Sequence, residues 1–151
     1  MKVGIGFDVH PFVKARPLYL GGVKIKCDRG LKGHSDGDAL IHSIIDAVLG
    51  ASGKGDKGKY FPDTDPEYKD ISSSELLNQA LKIAKAQIIN IDCIVFCEKP
   101  KISVYYEKMK KNIAGILKID KNLVSIKATR PEGLSLKEDG IACFCACLIE
   151  N

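Results

Sequence analysis

The chain's only three histidines, His10, His34 and His42, all lie in its first 42 residues among acidic neighbours. Asp8 and His10 stand two apart in residues 1–10, whose alternation predicts a β-strand, so both side chains leave one face. His42 lies in residues 39–50, ALIHSIIDAVLG, where apolar residues at 40, 41, 44, 45, 48 and 49 predict a helix ending at Gly50. One carboxylate and two imidazoles make a three-ligand set with a fourth position open, the plan of catalytic zinc. Asp38 and Asp46, four residues to either side of His42, are candidates to orient its second ring nitrogen. Each residue also has an ordinary reading. Asp-x-His on a strand is commonly a polar surface pair, and a helical histidine commonly a satisfied neighbour of the core. Spacing alone leaves both open.

A phosphate cue adjoins this set. His34-Ser35 precede the predicted helix, whose free N–H groups and dipole favour an anion. Ser35, Asp36 or Asp38 could equally serve as its cap. Gly4-x-Gly6 lacks the third glycine of a dinucleotide loop and is set aside.

The elements that must position these groups follow from pattern. Residues 18–26 read as a hairpin around Gly21-Gly22, followed by a loop through Gly30 and Gly33. Residues 51–72 are rich in glycine, proline and charge and read as an exposed, mobile loop of functional length. A second helix follows with Ser72 to Ser74 as cap, then a strand over 90–99, a basic-faced helix over 103–117, and strands over 124–129 and 140–149. This order predicts one α/β (α+β) two-layer sandwich, a mixed sheet with helices packed on one face.

Composition sets the outer limits. At 151 residues, with 45% hydrophobic and 28% charged, the chain suits one soluble domain. A net charge of +4 suits small anions and is too weak to argue for nucleic acid. No apolar run reaches membrane-spanning length and no signal-peptide layout is present, so the expectation is cytoplasmic. The six cysteines include Cys143, Cys145 and Cys147 on one face of a strand, and read as buried small hydrophobes in a reducing compartment.

Taken together, GFDVH (6–10), LGGV (20–23), HSDGD (34–38), His42 with Asp46, FPDTDP (61–66), KPK (99–101), IKAT (126–129) and GIAC (140–143) resemble the 2-C-methyl-D-erythritol 2,4-cyclodiphosphate synthase family. The likeness covers nearly the whole chain in order, as one synthase domain over 1–151. It implies a metal-dependent lyase of the non-mevalonate isoprenoid pathway. Such enzymes convert 4-diphosphocytidyl-2-C-methyl-D-erythritol 2-phosphate to the cyclic diphosphate and release CMP.

The resemblance also implies residue roles. Zinc would sit on Asp8, His10 and His42, and a second ion, magnesium or manganese, would bridge two phosphates near Glu132. The Asp8-Val9-His10 run, His34 and Ser35 would meet the substrate, with His34 stabilising the transition state. Asp56, Lys57 and Gly58 would grip the methylerythritol hydroxyls, beside Phe61, Pro62, Asp63, Thr64 and Asp65. Cys97, Glu98, Lys99, Pro100, Lys101, Ile102 and Ser103 would form the cytosine pocket. Thr129, Arg130, Pro131 and Glu132 would lie near the diphosphate. The family is a homotrimer with its sites between subunits.

Two departures stand out. Arg130 occupies a position where the family usually has a threonine credited with transition-state stabilisation, and a permanent, forked cation suits that catalytic task. The segment between Glu132 and Gly140 lacks the residues that line a central isoprenoid-binding channel in many members, with Leu136 and Lys137 as candidate substitutes. A phosphohydrolase and a non-catalytic nucleotide-binding module are the competing readings.

Overall fold

The computed structural model describes residues 1–133 and 139–150; Leu136 and Lys137 lie outside them. β1 (Lys2–Lys14) pairs antiparallel with β7 (Gly140–Glu150), from Lys2 opposite Ile149 to Pro11 opposite Gly140. β5 (Gln87–Phe96) lies antiparallel on the far side of β7, and β6 (Val124–Thr129) runs parallel to β5. The far end of β1 takes a short partner, β4 (Arg29–Leu31), giving the order β4-β1-β7-β5-β6. The sheet is mixed. A separate hairpin, β2 (Leu18–Leu20) and β3 (Val23–Ile25), turns at Gly21 and Gly22, whose φ values of +58° and +72° suit glycine.

The described residues also form four α-helices: α1 (Ala39–Ala51), α2 (Lys57–Tyr60), α3 (Ser73–Ala84) and α4 (Tyr106–Leu117). α1 packs on β1 and β7 and against α3, so it is buried nearly all round rather than along one stripe. Gly50 does not end it. The helix runs to Ala51, and the left-handed residue that follows is Gly53, at φ +67°.

Residues 51–72 are also more regular than their composition suggests. Asp56 caps α2 by accepting from the Lys59 amide, and Asp65 caps a 3-10 turn at Pro66–Tyr68. Phe61 is buried and meets Tyr68 edge-on, with ring centroids 5.4 Å apart.

β1 has two distinct faces. Gly4 and Gly6 are buried under α1, and Asp8 and His10 continue that face. Val3, Ile5, Phe7 and Val9 point the other way and are 50–67% exposed. Across the sheet Phe7 lies beside Phe144, which lies beside Ile94, so an apolar patch spans three strands on the face without helices. No helix among the described residues is long and apolar enough to cross a membrane.

Candidate metal centre and nucleotide pocket

α1 can lie against β1 because Gly6 has no side chain: a Cβ there would sit 1.9 Å from the Ser43 carbonyl oxygen. That approach brings His42 over the strand. Its Nδ1 lies 3.2 Å from Asp8 Oδ2 and 3.2 Å from His10 Nε2, and those two atoms are 2.7 Å apart. A tetrahedral zinc with bonds of about 2.0–2.1 Å has ligand–ligand edges of roughly 3.3–3.4 Å. The triangle is therefore close to one tetrahedral face, and the donor set of one carboxylate and two imidazoles fits a divalent ion such as zinc. Burial acts to raise the Asp8 carboxyl, but the close approach of the His10 and His42 imidazoles outweighs it and holds the group well below the usual carboxylate range. The carboxylate is thus an anion ready to bind a cation.

Lys57 approaches the same triangle, its Nζ 3.2 Å from His42 Nδ1 and 3.8 Å from Asp8 Oδ1. Its backbone N–H donates to Asp46 Oδ1 at 2.6 Å, which anchors the start of α2 beside α1. Asp46 therefore holds a loop and does not orient His42. Asp38 is committed elsewhere too, accepting from the amides of Gly21, Gly22 and Ile41. Burial, and then the nearby Asp36 charge, push its carboxyl up to about 6. The partners of His42 Nε2 are instead two hydroxyls, Ser73 Oγ at 2.9 Å and Ser35 Oγ at 3.1 Å. Ser73 is 31 residues from His42 in sequence. No local spacing rule reaches it; its only signal is the serine run that caps α3.

The other predicted residues fall into two groups. Around the metal triangle, a small hollow of about 50 Å³ is lined by residues including His34, Ser35, Lys57, Phe61 and Asp63. His34 is tied to the FPDTDP segment: its Nε2 donates to the Asp65 carbonyl at 3.3 Å, and its own carbonyl accepts from the Asp70 amide. Asp56 and Gly58 are exposed on α2, Pro62 is half-buried and Thr64 is exposed. Val9 points to the opposite sheet face, so only its backbone faces the site.

The second group lines a hollow of about 420 Å³ formed by Cys97 through Ser103, Tyr106, Ala128, Thr129 and Arg130. The Cys97 amide donates to the Thr129 carbonyl at 3.1 Å, closing the end of the β5–β6 pair beneath it. Arg130, Pro131 and Glu132 follow β6 at the rim, with Glu132 at φ +50°. Among the described residues none lines both hollows. Within one chain, Arg130 and Glu132 are not among the groups gathered at the metal triangle.

Comparison with known proteins accords with this geometry. A family described as the YgbB family matches residues 1–150. The chain is 48% identical over 155 aligned positions to the 2-C-methyl-D-erythritol 2,4-cyclodiphosphate synthase of Clostridium botulinum (strain Hall), covering 99% of this chain and 100% of that one. The bifunctional IspDF of Campylobacter jejuni superimposes with a TM-score of 0.92 at 43% identity, over 97% of this chain; the chain spans 41% of that protein. A solved 2C-methyl-D-erythritol-2,4-cyclodiphosphate synthase in its CDP-bound form matches 98% of this chain and 99% of its own, with a TM-score of 0.90 and 28% identity.

Proposed function

The chain belongs to the YgbB family, and from that premise we propose that Asp8, His10 and His42 hold the divalent ion against which it closes a cyclic diphosphate. Its substrate is 4-diphosphocytidyl-2-C-methyl-D-erythritol 2-phosphate, and its products are 2-C-methyl-D-erythritol 2,4-cyclodiphosphate and CMP. An oxygen of the 2-phosphate forms a bond to the β-phosphorus. The bond from that phosphorus to the bridging oxygen breaks, and its electron pair leaves with CMP. The attacking oxygen is already ionised, so the protein supplies in-line positioning and neutralisation of charge rather than a nucleophile.

The observation that carries this reading is the Asp8–His10–His42 triangle beside His34 and Ser35. A bound zinc ion would neutralise a phosphate oxygen there and fix its direction. The Ser35 hydroxyl is a donor for that phosphate, and His34, tethered to the Asp65 carbonyl, lines the same hollow. Lys57 adds a cation within reach of the same oxygens, with Asp56 and Gly58 bordering the methylerythritol moiety and Phe61 to Asp65 the loop above it. The hollow at Cys97–Ser103 takes the cytosine, and Thr129, Arg130, Pro131 and Glu132 border its diphosphate. Glu132 is the carboxylate offered to a second ion, magnesium or manganese.

A complete site needs both hollows, and among the described residues of one chain they share no lining residue. The exposed apolar sheet face supports a homotrimer in which neighbouring copies bring them together, since monomers rarely leave such a patch in water. All six thiols are free, which supports the cytoplasm as the compartment.

The deciding experiment follows phosphorus-containing products by NMR with zinc and magnesium present. Cyclic diphosphate with equimolar CMP is expected, and loss of both in His42→Ala. A linear phosphate product would indicate a hydrolase; CDP binding without CMP release would indicate a binding module. A fully active His42→Ala would defeat the metal assignment.

A further inference from the structure

We propose that Ser73 and Asp36 form a positioning relay behind His42, one that dictates which imidazole nitrogen is left bare for metal. The relay rests on the metal reading above and adds residues to it. Ser73 Oγ contacts only two groups among the described residues, His42 Nε2 at 2.9 Å and Asp36 Oδ1. Asp36 Oδ2 also accepts from the Ser73 backbone N–H at 2.9 Å, so one carboxylate clamps both donors of one serine. Ser73 is fully buried and His42 only 3% exposed.

Hydrogen accounting then leaves one arrangement. A carboxylate only accepts, so the single hydroxyl hydrogen of Ser73 goes to Asp36. The remaining contact of that oxygen, with His42, must be one in which it accepts, so His42 Nε2 carries a hydrogen. The opposite side of the ring has one neighbour of each kind: His42 Nδ1 lies 3.2 Å from the Lys57 ammonium, which only donates, and 3.2 Å from the Asp8 carboxylate, which only accepts. The Ser73 contact therefore decides: in the neutral ring the hydrogen is on Nε2 and Nδ1 is bare, and Nδ1 is the atom in the triangle with Asp8 and His10.

The polarity of this chain, carboxylate to hydroxyl to imidazole, raises the basicity of the ligating nitrogen and fixes the ring plane. It also frees Ser35. With the Nε2 hydrogen committed to Ser73, the Ser35 hydroxyl keeps its own hydrogen for a phosphate oxygen. The HSDGD segment thus contributes Asp36 to the rear of the metal centre while His34 and Ser35 serve its front.

The test reads the tautomer and the affinity separately. In zinc-free protein labelled with ¹⁵N-histidine, long-range ¹H–¹⁵N correlations at mildly alkaline pH are expected to show His42 with its hydrogen on Nε2. Ser73→Ala is expected to mix the tautomers and weaken zinc binding, titrated against a chromophoric chelator, by about 10–100-fold. Asp36→Asn is expected to fall between wild type and Ser73→Ala. A bare Nε2 in the wild-type protein overturns the relay even if the variants fail to fold. So does a Ser73→Ala variant with unchanged zinc affinity. Wild-type protein that shows the Nε2–H tautomer but binds no zinc would instead sink the metal reading and leave the relay standing.

Discussion

Gly6 lies directly beneath the carbonyl of Ser43, with space for a hydrogen and for nothing larger. That one contact ties the packing of the fold to the chemistry, because Ser43 follows His42 on the same helix. Gly6→Ala is expected to push α1 away from β1. The cost should be about 1–3 kcal/mol of stability in urea unfolding, from overpacking against backbone. Zinc affinity should fall with it. Gly50→Ala, whose Cβ would approach nothing nearer than 3.9 Å, should instead stabilise by about 0.5–1 kcal/mol by removing a helical glycine. Equal effects of the two would detach the metal centre from this packing.

Arg130 is exposed at the rim of the larger hollow. If its guanidinium stabilises developing charge on the diphosphate, Arg130→Ala should slow turnover by about 10²–10³-fold and Arg130→Thr by less. Neither should change the urea midpoint. Steady-state CMP release measures both, and unchanged rates in the pair would remove Arg130 from the reaction.

Removing the Lys57 ammonium should act in two directions. Lys57→Met deletes a cation 3.2 Å from His42 Nδ1, the nitrogen proposed to ligate the metal, so zinc should bind about tenfold more tightly from relief of like-charge repulsion. Binding of CDP to the zinc-loaded protein should weaken. Calorimetric titrations with each ligand report the two effects, and weaker zinc binding would show that Lys57 supports the triangle rather than opposing it.

The buried thiols carry a pH dependence. Burial pushes Cys97 and Cys147 from 9.0 up to about 12. Burial also raises Cys143 well above 9.0, and Cys145 is raised first by its contact with Cys93 and then by burial. A raised folded value favours the protonated thiol, so this stability is complete below 9.0 and is lost as pH climbs toward the folded values. Between pH 8 and 10, each such thiol should remove about 1.4 kcal/mol from the unfolding free energy. Cys147→Ala should lose correspondingly less over that interval; an identical loss would sink the assignment. Iodoacetamide at pH 8 should label Cys27 alone in the folded protein.

Phe7→Glu should break the proposed trimer. It places a charge in the apolar patch beside Phe144 and Ile94, and desolvating that charge in a subunit contact is costly. Sedimentation velocity should show the assembly giving way to monomer, with synthase activity lost and zinc binding retained. A variant that stays assembled would move the contact to another surface.

Much of the fold was legible because long elements carry their pattern within themselves. The apolar spacing from Leu40 to Leu49 reveals α1, and the alternation of Cys143, Cys145 and Cys147 reveals β7. Short elements are held by partners instead. β4 exists through Arg29–Leu31 pairing with the tail of β1, and α2 through the Asp56 cap and the Asp46 carboxylate. Neither has a period to read. The front of the candidate metal centre was legible for the same reason: Asp8 and His10 share a strand face. Its rear was not. The i±4 rule points to Asp38 and Asp46, but backbone amides had already claimed both carboxylates.

Alternation along β1 gives two kinds of substitution there different signatures on dilution. Even positions, through Gly6, Asp8 and His10, face the helix and the candidate metal centre, so damage there should be the same at every protein concentration. Odd positions, through Ile5, Phe7 and Val9, face outward, and if that face is the proposed subunit contact, damage there should deepen as the protein is diluted and fade as it is concentrated. A one-residue slip of the strand would exchange the two sets at once. On the proposed reading, catalysis and assembly would be written on opposite sides of a single ribbon, and neither could shift register without destroying the other.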